Sequence, residues 1–223
     1  MASHEQSFAD EFNAYMKREA QSRGMRVHTF SLDGQDRDAG ADYVITDASR
    51  FALVEFKYTE SSLVSEASKP RRLKLCQKLA HEDYMRELHD KCHFIAWAQK
   101  PNMSVKINIY RKEICIKRIF GEALAHAPLY ELSKRVNAGI FAENFLGLKQ
   151  SSSLSLDQFE FYVSWVLTQT SGAKVSNLEL VTSNVESGEL FLVRLRTLKD
   201  AQNWLHKHWP PPPTHSHKPS MSG

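Results

Sequence analysis

Apolar positions recur three and four residues apart at Phe8, Phe12, Tyr15 and Met16, a spacing that lines one face of a helix, and Gly24 follows as a stop. Residues 7–23 are therefore predicted as an amphipathic helix. The period then changes. Residues 26–30 read as a short strand, and residues 32–40 are dense in turn formers. Residues 43–46 and 51–58 read as two strands joined at Asp47-Ala-Ser-Arg50 in a hairpin. Beyond a polar stretch at residues 60–68, Leu73, Leu75, Leu79, Tyr84, Met85 and Leu88 support one long helix over residues 70–91, and residues 93–98 return as a strand. The order helix, three strands, helix, strand predicts a mixed α/β (α+β) sheet with helices on its faces.

The second half has a weaker pattern. Residues 105–110 and 114–119 alternate like strands, and residues 122–136 read as a helix. Ser151 to Ser155 read as a linker or cap before a helix packed through Phe159, Val163, Trp165, Val166 and Leu167. Residues 178–181 and 190–194 are strand candidates, and residues 200–209 a closing helix. This divides the chain into a core at 1–120, an accessory α/β region at 121–209 that would recognise substrate or a partner, and a Pro/His-rich tail at 210–223.

Composition narrows the classes. With 223 residues, 42% hydrophobic and 25% charged, the chain can bury a full core and is not of disordered type. No apolar run is long enough to span a bilayer and no signal-peptide segment is recognisable, so a membrane role is not expected and a cytoplasmic setting is. Cys76, Cys92 and Cys115 are few, odd in number and without Cys-x-x-Cys spacing, and read as reduced, packed thiols. A net charge of +3 is too mild to demand a nucleic-acid partner, but residues 69–78 carry five basic side chains and no acid. The plain alternative for that run is a solvated helix face.

The chemistry concentrates in the hairpin, ADYVITDASRFALVEFKYTE over residues 41–60. Alternation puts Ala52, Val54, Phe56 and Tyr58 on one face as core, and Leu53, Glu55, Lys57 and Thr59 on the other, which is half polar. Asp42, at the mouth of the neighbouring strand, is expected beside Glu55. Two close carboxylates repel unless a divalent cation lies between them, and hard ions such as Mg2+ or Mn2+ prefer oxygen ligands. Lys57 would stand where it can orient a water or stabilise charge on a phosphate. The competing reading pairs Glu55 with Lys57 across a strand face. Asp38 is the substitute for Asp42 if the register differs.

An acid followed by Glu-x-Lys on adjacent strands, flanked by helices in this order, resembles the PD-(D/E)xK nuclease superfamily over residues 7–100, with Ala41 where the motif's Pro stands. The resemblance implies a restriction-endonuclease-like core and metal-dependent hydrolysis of phosphodiester bonds in DNA, RNA not being excluded, in settings such as bacterial or phage defence or mobile-element processing. It implies Asp42 and Glu55 as ligands of Mg2+ or Mn2+, and Lys57 as the motif's lysine. Glu11, with Ala14 after it, would be the helix acid that supports the metal, Glu19 being its competitor. Gln77 would be the polar residue of the following helix, and Arg71, Arg72, Lys74 and Lys78 a track for the phosphate backbone. The alternative is a catalytically inactive subunit that keeps the fold to bind nucleic acid or a protein partner. A homodimer or a partner subunit is compatible with either. The ten histidines show no spacing typical of a metal site, and no Gly-rich phosphate loop or Gly-x-Ser-x-Gly elbow is present.

Overall fold

The structure is a computed structural model that describes residues 2–31, 41–129, 134–170, 178–183, 190–195 and 197–208. Helix α1 (Ala2–Ser22) buries Ala9, Phe12, Met16 and Ala20, one stripe at three- and four-residue spacing. It stops at Gly24, which adopts a φ of 69°. Gly24 N–H donates to Gln21 O and Met25 N–H to Ala20 O, the paired bonds of a Schellman C-cap, which needs the left-handed backbone that glycine adopts without strain.

Strands β1 (His28–Ser31), β2 (Tyr43–Thr46) and β3 (Arg50–Thr59) form an antiparallel meander, in which β2 pairs β3 from Tyr43↔Val54 to Thr46↔Phe51. Asp47 Oδ1 closes the predicted turn by accepting the N–H groups of Ser49 and Arg50. A 3-10 segment follows (Glu60–Ser68), then α2 (Pro70–His81), α3 (Asp83–Cys92) and β4 (His93–Gln99), which lies parallel to β3. Parallel neighbours require a long crossover, and these helices supply it. Strand β5 (Ser104–Ile109) returns antiparallel to β4.

One long helix was expected over residues 70–91, but the backbone turns out of helical geometry at Glu82, with φ −122° and ψ 89°. Arg86 satisfies the carbonyls stranded at the end of α2, donating to Leu79 O and Ala80 O, and Trp165 Nε1 donates to Glu82 Oε2.

The expected strand at 114–119 is two short helices, α4 (Tyr110–Ile114) and α5 (Lys117–Phe120). Ile114, Ile116, Ile119 and Phe120 are all buried, and so short an apolar run fits either period. The helix expected over 122–136 is also absent among its described residues: a 3-10 turn (Gly121–Leu124) leads into irregular chain, and Val136 bridges Ile107. Helix α6 (Ala138–Leu146) starts at Asn137, whose side chain accepts Ile140 N–H. Then come β6 (Leu154–Ser155), α7 (Leu156–Thr170), β7 (Leu178–Ser183), β8 (Leu190–Leu195) and α8 (Leu198–His208).

The strands make one mixed sheet in the order β5-β4-β3-β2-β1-β7-β8, with β6 paired to β3. Strand β7 extends the sheet from β1. The expected tail at 210–223 lies outside the described residues, as does Asp38. Ala52, Val54, Phe56, Phe94 and Ala96 pack under α1 and α6, where Phe12, Met16, Phe141 and Phe145 meet them. Leu53, Ile95 and Trp97 pack under α2, α3 and α7, against Leu75, Leu79, Leu88 and Val163. Both faces of β3 are thus covered, so the half-polar face of Leu53, Glu55 and Lys57 is buried.

The cysteine reading needs correction as well. Cys76 on α2 and Cys115 after α4 form a disulfide, with Cα atoms 5.1 Å apart, and only Cys92 is free and buried. A separation of 39 residues hides a proximity that exists only after α2 and α4 pack together.

Candidate functional site

Alternation along β3 decides which layer its polar residues enter. Val54 and Phe56 belong to the core beneath α1, and Leu53 to the core beneath α2, so Glu55 and Lys57 point with Leu53. Glu55 is 2% exposed and Lys57 4%. Asp42 lies just before β2. Its N–H donates to Val54 O at 3.1 Å, and its Oδ2 accepts the N–H of Phe56 at 2.7 Å. The acid is thereby fastened to the backbone on both sides of Glu55, which brings together Asp42, Glu55 and Lys57.

The cover over this face is the 3-10 segment. Side chains three apart eclipse in such a helix, so Leu63 and Glu66 share its buried side. Glu66 is fully enclosed and meets Lys57 Nζ at 3.1 Å and Lys69 Nζ at 2.6 Å through Oε1. Its Oε2 accepts from Arg72 Nε at 3.2 Å and Tyr110 Oη at 2.7 Å. Lys57 and Lys69 also pair with Glu55 Oε1, Lys69 at 3.2 Å, and Lys57 Nζ donates to Phe56 O at 3.2 Å. Three acids (Asp42, Glu55, Glu66) and three cations (Lys57, Lys69, Arg72) therefore share one buried cluster, of which Lys69 is the half-exposed member.

Burial first, then the charge of Glu55, pushes the Asp42 carboxyl up to about 7 against the Phe56 N–H and the two lysines. Burial would also raise Glu66, but Lys57 and Lys69 overcome it and hold the group down at about 2. For Lys57 burial favours the neutral amine, and the charges of Glu55 and Glu66 reverse that, so its pKa stands above the usual lysine range. The surroundings of Asp42 thus disfavour its charge, whereas those of Glu66 favour it.

The remaining expected site residues are placed elsewhere. Glu11 is exposed on α1, which covers the opposite face of the sheet from Glu55 and Lys57, so it does not join the cluster. The α1 acid that reaches the hairpin is Glu5, whose Oε1 accepts Tyr58 N–H at 3.4 Å, next to Gln6, which donates to Tyr43 Oη at 2.8 Å. Glu19 pairs with Arg23. Gln77 lines a cavity of about 730 Å3 with Cys76, Arg86, Arg111 and Cys115, apart from the acidic cluster. Arg72 is 1% exposed and held by Glu66, so it cannot track a phosphate backbone. Lys74 and Lys78 are exposed and Arg71 is partly so, which keeps a basic surface on α2.

Sequence reasoning missed Glu66, Lys69 and Tyr110. The one available signal was the Leu63/Glu66 spacing, which acquires meaning only once residues 60–68 are known to be a 3-10 helix. It also missed a second buried polar group. His89 Nε2 accepts Arg111 N–H at 3.1 Å, so the neutral ring carries its proton on Nδ1 and donates to Tyr162 Oη at 2.6 Å, while Tyr162 donates to His93 Nδ1 at 2.8 Å. This chain ties α3, β4 and α7 together.

Among the described residues no group of three or more histidine, cysteine or carboxylate side chains is placed to share a metal ion. Two carboxylates suffice for Mg2+, which keeps several waters and is commonly held by one or two protein carboxylates. Asp42 and Glu55 are the two carboxylates of the cluster that could hold such an ion. No helix among the described residues is long and apolar enough to cross a membrane. Compared with protein-family models, with curated proteins and with solved structures, the chain matches none of them.

Proposed function

We propose that the chain is a metal-dependent nuclease of the PD-(D/E)xK type, with a restriction-endonuclease-like core, that hydrolyses phosphodiester bonds in DNA. The observation that carries this reading is the hydrogen bond from Phe56 N–H to Asp42, which holds the first acid against the Glu-x-Lys strand. Asp42 and Glu55 would hold Mg2+ or Mn2+. When bound, such an ion supplies Lewis acidity and makes a bound water a nucleophile near neutral pH. Lys57 keeps its proton because Glu55 and Glu66 outweigh its burial, so it offers a fixed positive charge and a donor to a phosphate, not a base. Lys74 and Lys78 would follow the backbone of the substrate. Defence or mobile-element processing is the setting this chemistry suits.

A second reading is favoured by one observation, the balance of three acids against three cations. A cluster that satisfies itself can serve as a structural ion network in a non-catalytic subunit that binds nucleic acid or a protein. Purified protein incubated with plasmid, linear and single-stranded DNA in Mg2+ or Mn2+ separates the two. Metal-dependent cleavage that disappears in Glu55→Ala supports the nuclease, and no cleavage under either metal sinks it.

A further inference from the structure

Glu66 has no part in the roles assigned above, yet two oxygens of this enclosed carboxylate do different work. Oε2 is fixed by Arg72 and Tyr110, both buried and themselves immobilised by packing. That leaves Oε1 aimed at the ammonium groups of Lys57 and Lys69, at 3.1 and 2.6 Å. The same two groups contact Glu55 Oε1. Two lysines therefore share two carboxylates, and only one of those carboxylates has a metal-binding role.

If Glu55 gives its oxygens to a divalent cation, both ammonium groups lose that partner and face a nearby like charge. An ammonium left buried without a counter-ion is strongly disfavoured. With Glu66 already in contact, neither lysine has to travel. Lys57 also keeps Phe56 O at 3.2 Å as an acceptor, which holds its stem in place along β3.

We infer that Glu66 is a positioning residue, the counter-ion onto which Lys57 and Lys69 close when Glu55 turns to a divalent cation, so that it sets both the metal affinity and the place where the lysine charge stands. The inference rests on the nuclease reading. It assigns Lys69 a role too: being half-exposed and shared between the carboxylates, it competes with the cation for Glu55.

The test is Mn2+ binding to the full chain, read from the resonance signal of free Mn2+ without any substrate, on wild type, Glu66→Gln, Lys69→Met and the double variant. Glu66→Gln should weaken Mn2+ about tenfold, about 1.4 kcal/mol, because the two ammonium groups then have no carboxylate charge to offset them once Glu55 is taken by the ion. Lys69→Met should tighten it roughly threefold, and in that background the Glu66→Gln penalty should shrink to about threefold, since one ammonium fewer needs a place. An equal penalty in both backgrounds, or none in either, overturns the inference while leaving the nuclease reading intact. Folded wild type that binds no Mn2+ removes both. If Glu66→Gln does not fold because Arg72 is stranded, Lys69→Met alone decides: unchanged or weaker Mn2+ affinity overturns the proposal.

Discussion

Lys57 Nζ lies 3.1 Å from Glu66 Oε1, so the lysine of the Glu-x-Lys strand is bound from above by a residue of the connecting 3-10 segment as well as by Glu55 beside it. Its charge is held in place before any ligand arrives. That arrangement separates the role of Lys57 from the roles of the two acids.

Lys57→Ala should abolish most cleavage, by roughly a hundredfold or more, while Mn2+ still raises the melting temperature through mass action. Asp42→Ala and Glu55→Ala should lose both cleavage and the Mn2+-induced shift. Thermal melts with and without Mn2+, set beside plasmid cleavage, check this. Wild-type cleavage by Lys57→Ala removes the lysine from the mechanism.

Neighbouring cations on α2 should behave differently. Replacing Lys74 and Lys78 by Gln should flatten the dependence of DNA affinity on salt by about two units of slope while leaving stability near wild type. Arg72→Met takes one buried cation from Glu66, which keeps Lys57, Lys69 and Tyr110, and should cost about 1.5–3 kcal/mol in denaturant unfolding. If Lys74 and Lys78 leave the salt slope unchanged, the basic face of α2 does not contact DNA.

Denatured, unreduced protein should titrate with one reactive thiol per chain, that of Cys92, not three. Cys76→Ser should lower stability by roughly 3–4 kcal/mol under oxidising conditions, the loop-entropy value for a bridge that closes 39 residues, and by little under reducing ones. Three reactive thiols in freshly purified protein overturn the bridge.

Acid should loosen the helical layer formed by α3 and α7. Burial, aided by His93 and Arg111, holds the His89 pKa well below its ordinary 6.5, so the unfolded chain binds a proton there before the folded one does. The stabilising contribution is full above pH 6.5 and is lost as pH falls below it. The raised Asp42 carboxyl works in the opposite sense over the same range, so the contribution of His89 is read as a difference: from pH 8 down to 5, His89→Gln should lose less unfolding free energy than wild type, even though it lowers stability at pH 8 by breaking the bond to Tyr162. A parallel pH profile for the variant shows that His89 is not responsible.

What the sequence determined by itself is what depends on neighbours along the chain. The stripe Phe8, Phe12, Tyr15 and Met16, the stop at Gly24, the Asp47 turn and the alternation that sets Glu55 and Lys57 on one face all follow from local periods and backbone preferences, and each is found in the fold. Tertiary packing decided the rest. Glu11 was a reasonable helix acid until α1 settled on the far face of the sheet, and Arg72 a reasonable phosphate contact until α2 turned it inward. Glu66 carried no mark of burial in a polar, serine-rich stretch, because its partners Lys57 and Tyr110 come from a strand before it and a helix well after it. Cys76 and Cys115 likewise meet only across two packed helices. Periodicity records which way a side chain points from its own element; which element will stand opposite it is fixed by the free energy of the whole core, and no local pattern contains that.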